Sequence, residues 1–534
     1  MTSQQSEAGH AAIAQGRTAL GIELGSTRIK AVLIDEAGVP LATGGYGWNN
    51  TLVDGLWTYP WDSVWEGLRG AYADLVADVR QRYDLELTTV GSLAISAMMH
   101  GYVPLDEAGE PVAGFRTWRN TNTAAASAEL SELFQVNIPH RWSIAHLYQA
   151  VLDGEDHLSR LAHITTLSGL VHLRLSGQFV LGVGDASGMF PIDSEAGDYD
   201  RTRLAQFAEV AGARGWNWDV DQLLPRVLVA GQEAGRLTEE GAALLDPTGK
   251  LQPGIVMAPP EGDAGTGMVA TNALAPRTGN VSAGTSIFAM VVLERTMAGY
   301  FPEIDPVTTP EGLAVAMVHS NNGTSELDQW VGVFAEFARS AGQELELGQV
   351  YQILYQQALA GAPDAGGLLA YNLLSGEPIV NLEEGRPLYV RSRGENLTLA
   401  NFIRAQLLSV FGTLRLGMEI LADQGVEVEL LRAHGGLFKT AGVAQRLMAG
   451  ALQAEVEVGS GAGEGGAWGA ALLALYRAQG EGKLLRDFVA ERIFADAEAV
   501  RVAPDPDDVA GFEQFMDRYR RGLPVVAAAV DCVD

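Results

Sequence analysis

Two Gly-Ser-Thr hairpins constrain this chain more than any other feature. Residues 21–27 read Gly-Ile-Glu-Leu-Gly-Ser-Thr and run into 28–34, Arg-Ile-Lys-Ala-Val-Leu-Ile. About 260 residues later, 279–286 read Gly-Asn-Val-Ser-Ala-Gly-Thr-Ser and run into 287–292, Ile-Phe-Ala-Met-Val-Val. Each places a turn of small residues between two stretches of strand character, with no helix following. Successive backbone N–H groups in such a turn, joined by Ser and Thr hydroxyls, make a concave cradle for phosphate. Alone, either is more simply a hairpin turn. Two of them, each opening a half of comparable length, predict a duplicated fold that clamps a nucleotide in its cleft.

The rest of the pattern repeats on the same plan. Residues 18–46 read as a three-strand meander and 61–83 as a helix, with Val64, Leu68, Tyr72, Leu75 and Val79 recurring near helical spacing. An apolar strand at 90–96 ends at Ala97-Met-Met-His-Gly101. Residues 147–188 read as helical with a polar break near Gly154, and 254–292 return to strand–turn–strand. Long helices are predicted near 326–341 and 398–424, then strand 428–433, a helix near 441–453, strand 454–458 and a helix over 467–479. A meander with helices, twice over, favours an α/β architecture of two similar lobes around a nucleotide cleft.

Composition limits the function. The chain has 534 residues, 47% hydrophobic and 19% charged, enough for large globular cores. A formal charge of −30 argues against a nucleic-acid or anionic-membrane partner, since both require a basic surface. It leaves ATP open, because phosphates are held by local amides and a metal. The lone Cys532, near the chain's end, excludes an internal disulfide framework and any multi-thiolate metal site. No apolar run reaches membrane-spanning length and residues 1–17 lack the apolar segment of a signal peptide, so a cytoplasmic protein is expected.

At this point the residues resemble the FGGY family of carbohydrate kinases, in order along about residues 18–480. Gly21–Thr27 is similar to the family's first phosphate loop, and Met99-His-Gly101 to the sugar-side segment of its xylulose kinase branch. Asp185-Ala-Ser-Gly188, Gly262-Asp-Ala264 and Gly279–Ser286 match the Asp-Ala-Ser segment, the catalytic aspartate and the second phosphate loop. The run Gly366–Glu377 and His434-Gly-Gly436, at the place of the adenosine loop, complete the series. The resemblance implies two actin-like, ribonuclease H-like lobes. A disordered tail over 1–17 would precede a sugar-binding first lobe at 18–270. A nucleotide-binding second lobe would follow at 271–505, and a C-terminal helix and tail at 506–534.

It also implies an ATP- and Mg2+-dependent sugar kinase, cytoplasmic, with a homodimer open to it. Asp263 would be the catalytic base and a metal neighbour, with Met99, His100, Trp118 and Asn120 at the sugar. Gly25, Ser26, Thr27, Arg28, Gly284, Thr285, Ser286, Gly435 and Gly436 would hold the nucleotide, and Glu23 a magnesium ion through water. Three departures stand out. Glu23 replaces the usual aspartate, Trp118-Arg-Asn-Thr-Asn122 replaces Trp-Asn-Asp-x-Arg, and Ala264 replaces an asparagine. A ketopentose, xylulose or ribulose, phosphorylated at its terminal hydroxyl is the first choice, with hexuloses, polyols and aldonates open.

Each residue also has a plainer reading. Asp263, between an apolar strand and Gly265-Thr-Gly267, reads as a base approached closely by substrate or as a turn aspartate. Glu23 reads as a metal neighbour or a strand carboxylate, and Arg28 and Lys30 share one strand face. His100 reads as a hydroxyl contact or a structural histidine. Trp118, Asn120 and Asn122 read as a stacking face with amide ligands, or as a helix start before the Ala-rich stretch. Gly435 and Gly436 suit a nucleotide or a simple strand-to-helix turn. Two whole-chain alternatives remain: a sugar- or nucleotide-binding regulator with weakened chemistry, and an NAD-linked enzyme, because 461–466 read Gly-Ala-Gly-Glu-Gly-Gly.

Overall fold

The first hairpin is apolar on both faces, and a strand buried on both faces belongs at the centre of a covered sheet. In the computed structural model, which describes residues 3–391, 393–394, 396–459, 465–480 and 482–532, it forms that centre. Strands β1 (Ala19–Leu24), β2 (Arg28–Ile34) and β3 (Pro40–Gly47) make an antiparallel meander. Helix α1 (Ser3–Ala14) precedes it and α2 (Trp61–Tyr83) covers one face. Strand β4 (Ser92–Ala97) adds parallel to β1, and the short β5 (Val256–Met257) and β6 (Glu261–Gly262) add parallel to β4. Helix α3 (Asp263–Ala270) starts directly from β6.

The second hairpin repeats the plan. Strands β7 (Thr278–Ala283) and β8 (Ile287–Val292) are antiparallel, and beyond them lie β9 (Ile304–Thr308) and β10 (Ala314–Ser320). Helices α4 (Ser325–Ser340), α5 (Leu347–Ala358) and α6 (Leu399–Asp423) follow. Then come β11 (Leu430–His434), α7 (Val443–Leu452), β12 (Glu455–Gly459), α8 (Gly465–Gln479), β13 (Ala499–Val502) and α9 (Pro506–Cys532). The first sheet runs β3-β2-β1-β4-β5 and the second β10-β8-β7-β11-β12, flanked by β9 and β13. In both, the first two pairings of that shared order are antiparallel and the next two parallel. The two-lobe α/β reading therefore holds, strand for strand.

Two expectations are corrected. The predicted disordered tail is helix α1, because Ala12 and Ile13 bury into the first core and Gly9 packs so closely on Tyr83 that a Cβ there would lie 2.8 Å from its ring. The range 271–505 is not wholly second lobe. Helix α8 crosses back onto the first sheet, where a Cβ on Gly21 would lie 2.1 Å from the Ala467 carbonyl oxygen. Trp468 Nε1 donates to the Gly38 carbonyl at 2.8 Å, and Phe488 and Val489 join the same core before β13 returns to the second sheet. Helix α6 is long and apolar enough to cross a membrane, and most of it is buried in the second-lobe core.

Candidate functional site

Each phosphate-type loop is anchored from behind by its own carbonyls. In the first, Gly25 N donates to Arg28 O at 3.1 Å. Trp48 Nε1 donates to Gly25 O at 2.7 Å and the Tyr59 hydroxyl to Ser26 O at 2.5 Å. The hydroxyl-bearing tip at Thr27 is left exposed. Trp118, 40% exposed, donates its indole N–H to Ser26 Oγ at 3.3 Å, so it stands beside this loop. In the second loop Gly284 N donates to Ser286 O at 2.9 Å, and Thr324 N, at the start of α4, donates to Gly284 O at 2.8 Å. Thr285 is exposed, and nothing approaches the position a Gly284 Cβ would take.

Carboxylates gather where the first sheet meets two helix N-termini. Asp263 is the first residue of α3, half-buried, and its Oδ1 accepts from Met99 N at 3.0 Å. Burial pushes its carboxyl above the ordinary range, against the pull of backbone N–H groups from Met99 and Ala264. Glu23, in β1, lies at the start of α8 with the Ala467 amide bonded to it, and a Cβ on Gly466 would lie 2.4 Å from its Oε1. Its pKa is raised to about 7, by burial first and by the Asp263 charge second. Lys30, opposite Glu23 in the strand register, opposes that shift.

Behind them lie two further acids. Asp185, 1% exposed, accepts from the Thr166 hydroxyl at 2.7 Å and the Ser168 hydroxyl at 2.5 Å, and burial raises it to about 7. Glu261 accepts from Asp185 N at 2.9 Å and Gly184 N at 3.3 Å, and burial raises it to about 8. Sequence reasoning missed Glu261, although a glutamate two positions before Asp263, next to an apolar strand, was a readable signal.

Other predicted residues divide. His100 is buried beside Met99, with its Nδ1 3.3 Å from Gly188 O and its ring stacked on Trp142 at 6.5 Å. Burial holds it far below the usual imidazole pKa, so it is neutral. The Met99 side chain is packed, and what it presents to the site is its amide. Asn120 is no ligand: its Oδ1 accepts from Trp57 N at 2.8 Å, and its Nδ2 donates to Trp57 O and Thr117 O at 2.8 and 3.1 Å. Nor does it cap the following helix, whose cap position is Thr123. Arg28 is folded onto Gly45, where a Cβ would meet its guanidinium at 2.4 Å, and Lys30 is the cation beside Glu23.

Gly435, at φ 110°, is required by packing, since a Cβ would lie 2.2 Å from Ala283 O, whereas Gly436 stands open. Of the dinucleotide-like run 461–466, residues 461–464 lie outside the described residues, and Gly465 and Gly466 begin α8. The strand after α8, β13, pairs antiparallel with β12, so no parallel strand–helix–strand unit forms there.

These features agree with family-level similarity over most of the chain. The model of the FGGY family of carbohydrate kinases, N-terminal domain, matches residues 18–248, and that of its C-terminal domain matches 279–478. The chain belongs to the FGGY family of carbohydrate kinases. It is a phosphotransferase of that family. It is 23% identical to a xylulose kinase of Haemophilus influenzae over 512 residues, 94% of this chain and 98% of that one. It is 26% identical to a ribulokinase of Shouchella clausii over 308 residues, 55% of this chain and 52% of that protein. A xylulose kinase structure from Brucella ovis superposes with a TM-score of 0.78 at 19% identity, covering 96% of this chain and 99% of that one.

Proposed function

We propose that this FGGY kinase phosphorylates the terminal hydroxyl of a ketopentose, xylulose or ribulose, with ATP as donor and Asp263 as general base. The observation that carries the reading is Asp263 itself. It is a half-buried carboxylate held at a helix start by the amide of Met99, the residue before His100, and it lies between the two phosphate-type loops in the sequence. Its raised pKa suits a base, which works best when its pKa lies near the operating pH. The names of the two relatives supply the substrate class.

In this reading ATP lies between Ser26-Thr27 and Gly284-Thr-Ser286, with adenosine against Gly436. Phosphoryl transfer demands little covalent work from a protein, so positioning, charge stabilisation and one base suffice. Asp263 takes the hydroxyl proton, and loop amides hold the transferring charge. Neutral His100 can both donate to and accept from a sugar hydroxyl.

The site fits magnesium. Glu23 and Asp263 are hard oxygen donors, both held high by burial and Glu23 raised further by the Asp263 charge, and a divalent cation would reverse that penalty. With two protein carboxylates at hand, phosphate oxygens and water would complete the ion's shell. When bound, magnesium supplies neutralisation of phosphate charge. Cytoplasmic location and a homodimer remain part of this reading.

A coupled ADP-release assay over ketopentoses, polyols and aldonates tests it. Release stimulated most by xylulose or ribulose supports the proposal. ATP binding with no sugar-stimulated release supports the regulator instead.

A further inference from the structure

An ion pair joins the two lobes close to His100, and no sequence motif marked it. The segment 137–142 is locked onto the sugar-side loop: Gly101 N donates to Arg141 O at 3.1 Å, and the Ser143 hydroxyl to Gly101 O at 2.5 Å. From there the half-buried Arg141 reaches the second lobe, where its Nη2 pairs with Asp305 of β9. The other Asp305 oxygen accepts from Asn137 Nδ2 at 3.0 Å, and the same amide donates to Ile304 O at 3.1 Å.

Strand register identifies what shares that face. Asp305 stands opposite Met317, and His319, two residues along β10, stands opposite Phe288 of β8. Side chains two apart on a strand share a face. Met317 and Met290 pack in one core with first-lobe Phe190, so this is the face turned toward the first lobe. The rings of Phe288 and His319 lie 6.3 Å apart at 30°, both half-buried. Burial and the Arg141 charge keep His319 neutral, its pKa lowered to about 4.

Among the described residues only Nη2 of Arg141 has an acceptor, so its remaining guanidinium N–H groups are available.

We infer that the Arg141–Asp305 pair, with His319, is the specificity end of the sugar site, and that it selects an uncharged polyhydroxyl sugar over a sugar acid. A guanidinium whose charge is cancelled by a buried carboxylate still offers its rigid fork of donors to hydroxyls. It has no net charge left to reward a carboxylate, which a free arginine would bind in bidentate fashion. The second lobe contributes directly, through His319 and Asp305. The inference rests on the sugar-kinase reading.

The test compares wild type, Arg141→Met, Arg141→Lys and Asp305→Asn with the preferred ketopentose and a five-carbon aldonate. Arg141→Met is expected to raise KM for the ketose by about tenfold or more, with KM for ATP changing less than about twofold, the loss expected for hydrogen bonds to a charged group. Asp305→Asn, which uncovers the cation, shifts the ketose-to-aldonate ratio of kcat/KM by about tenfold or more toward the aldonate. An unchanged ketose KM in Arg141→Met, or an unchanged ratio in Asp305→Asn, overturns the inference. A melting curve identifies a variant that has not folded. Arg141→Lys, which keeps the charge opposite Asp305 without the fork, then carries the KM comparison. Calorimetric titration of the ketose separates the two failures: binding lost in Arg141→Met, with no turnover in any form, sinks the kinase reading alone.

Discussion

At the scale of single residues, burial raises both Asp263 and Glu23, and each must shed its proton to act as proposed. Replacing Asp263 by Asn keeps the shape and removes the proposed base, and kcat is expected to fall by about 10²- to 10⁴-fold, read in steady-state ADP release. Glu23 holds its proton up to about pH 7, so kcat/KM is expected to rise as pH increases toward 7 and level above it. Glu23→Gln should abolish that limb of the profile. The same acids set stability in the ligand-free protein. Glu23 and Asp185 titrate near 7 and Glu261 near 8, all above their unfolded values, so the folded state binds more protons than the unfolded one. Stability is therefore fullest below about pH 4 to 4.5 as far as these groups are concerned, and their contribution is lost as pH rises to about 8. Urea midpoints taken with and without MgATP across this range check the sign, and a midpoint that rises with pH in the ligand-free protein contradicts it. Asp263 stood out in the sequence through its place between the two loops and the family resemblance, since its glycine neighbours alone read as a turn. Asn120 was not legible, because an amide bound to backbone and an amide bound to sugar read identically. Asn120→Ala should cost about 1–3 kcal/mol of stability, measured by denaturant unfolding, with little change in sugar KM.

At the scale of elements, the duplicated sheet was legible because its strands carry their own pattern. Leu20, Ile22 and Leu24 alternate with Ala19, Gly21 and Glu23, and the second hairpin does the same. Strands β9 and β10 were missed, since Pro302, Pro306, Pro310 and Gly312 break the run. Pro306 is tolerated because β9 is an edge strand. The return of α8 to the first lobe was illegible for a different reason: its partner lies more than 400 residues away in sequence. What permits it is a stripe of backbone contact. A Cβ on Gly469 would lie 2.0 Å from the Thr266 carbonyl, joining α8 to α3, the helix that carries Asp263. Gly469→Val should therefore act on both stability and chemistry, lowering stability by about 1–3 kcal/mol and shifting Asp263 out of line. A variant with wild-type melting and wild-type kcat would refute this coupling.

At the scale of the whole molecule, the β9–β10 hairpin fastens the second lobe to the first. Thr308 N donates to Ser187 Oγ at 3.0 Å, its hydroxyl to Val183 O at 3.0 Å, and Ala230 N to Pro310 O at 2.7 Å. Glu311 accepts from Leu485 N at 2.7 Å on the same side. A movement of the lobes would therefore pivot about this fastened edge and open the phosphate-loop side. Nucleotide alone is accordingly expected to slow hydrogen exchange at 25–28 and 284–286 and to leave 304–310 unchanged, and protection appearing first at 304–310 would place the pivot elsewhere. The proposed role of Asp263 is to direct ATP to a sugar's terminal hydroxyl. Two-dimensional phosphorus–proton NMR of the reaction mixture tests it most directly. A single phosphate ester on the terminal carbon of the ketopentose with wild type, and none with Asp263→Asn, is the predicted result. Inorganic phosphate without an ester, or an equal yield of ester from Asp263→Asn, would contradict the account.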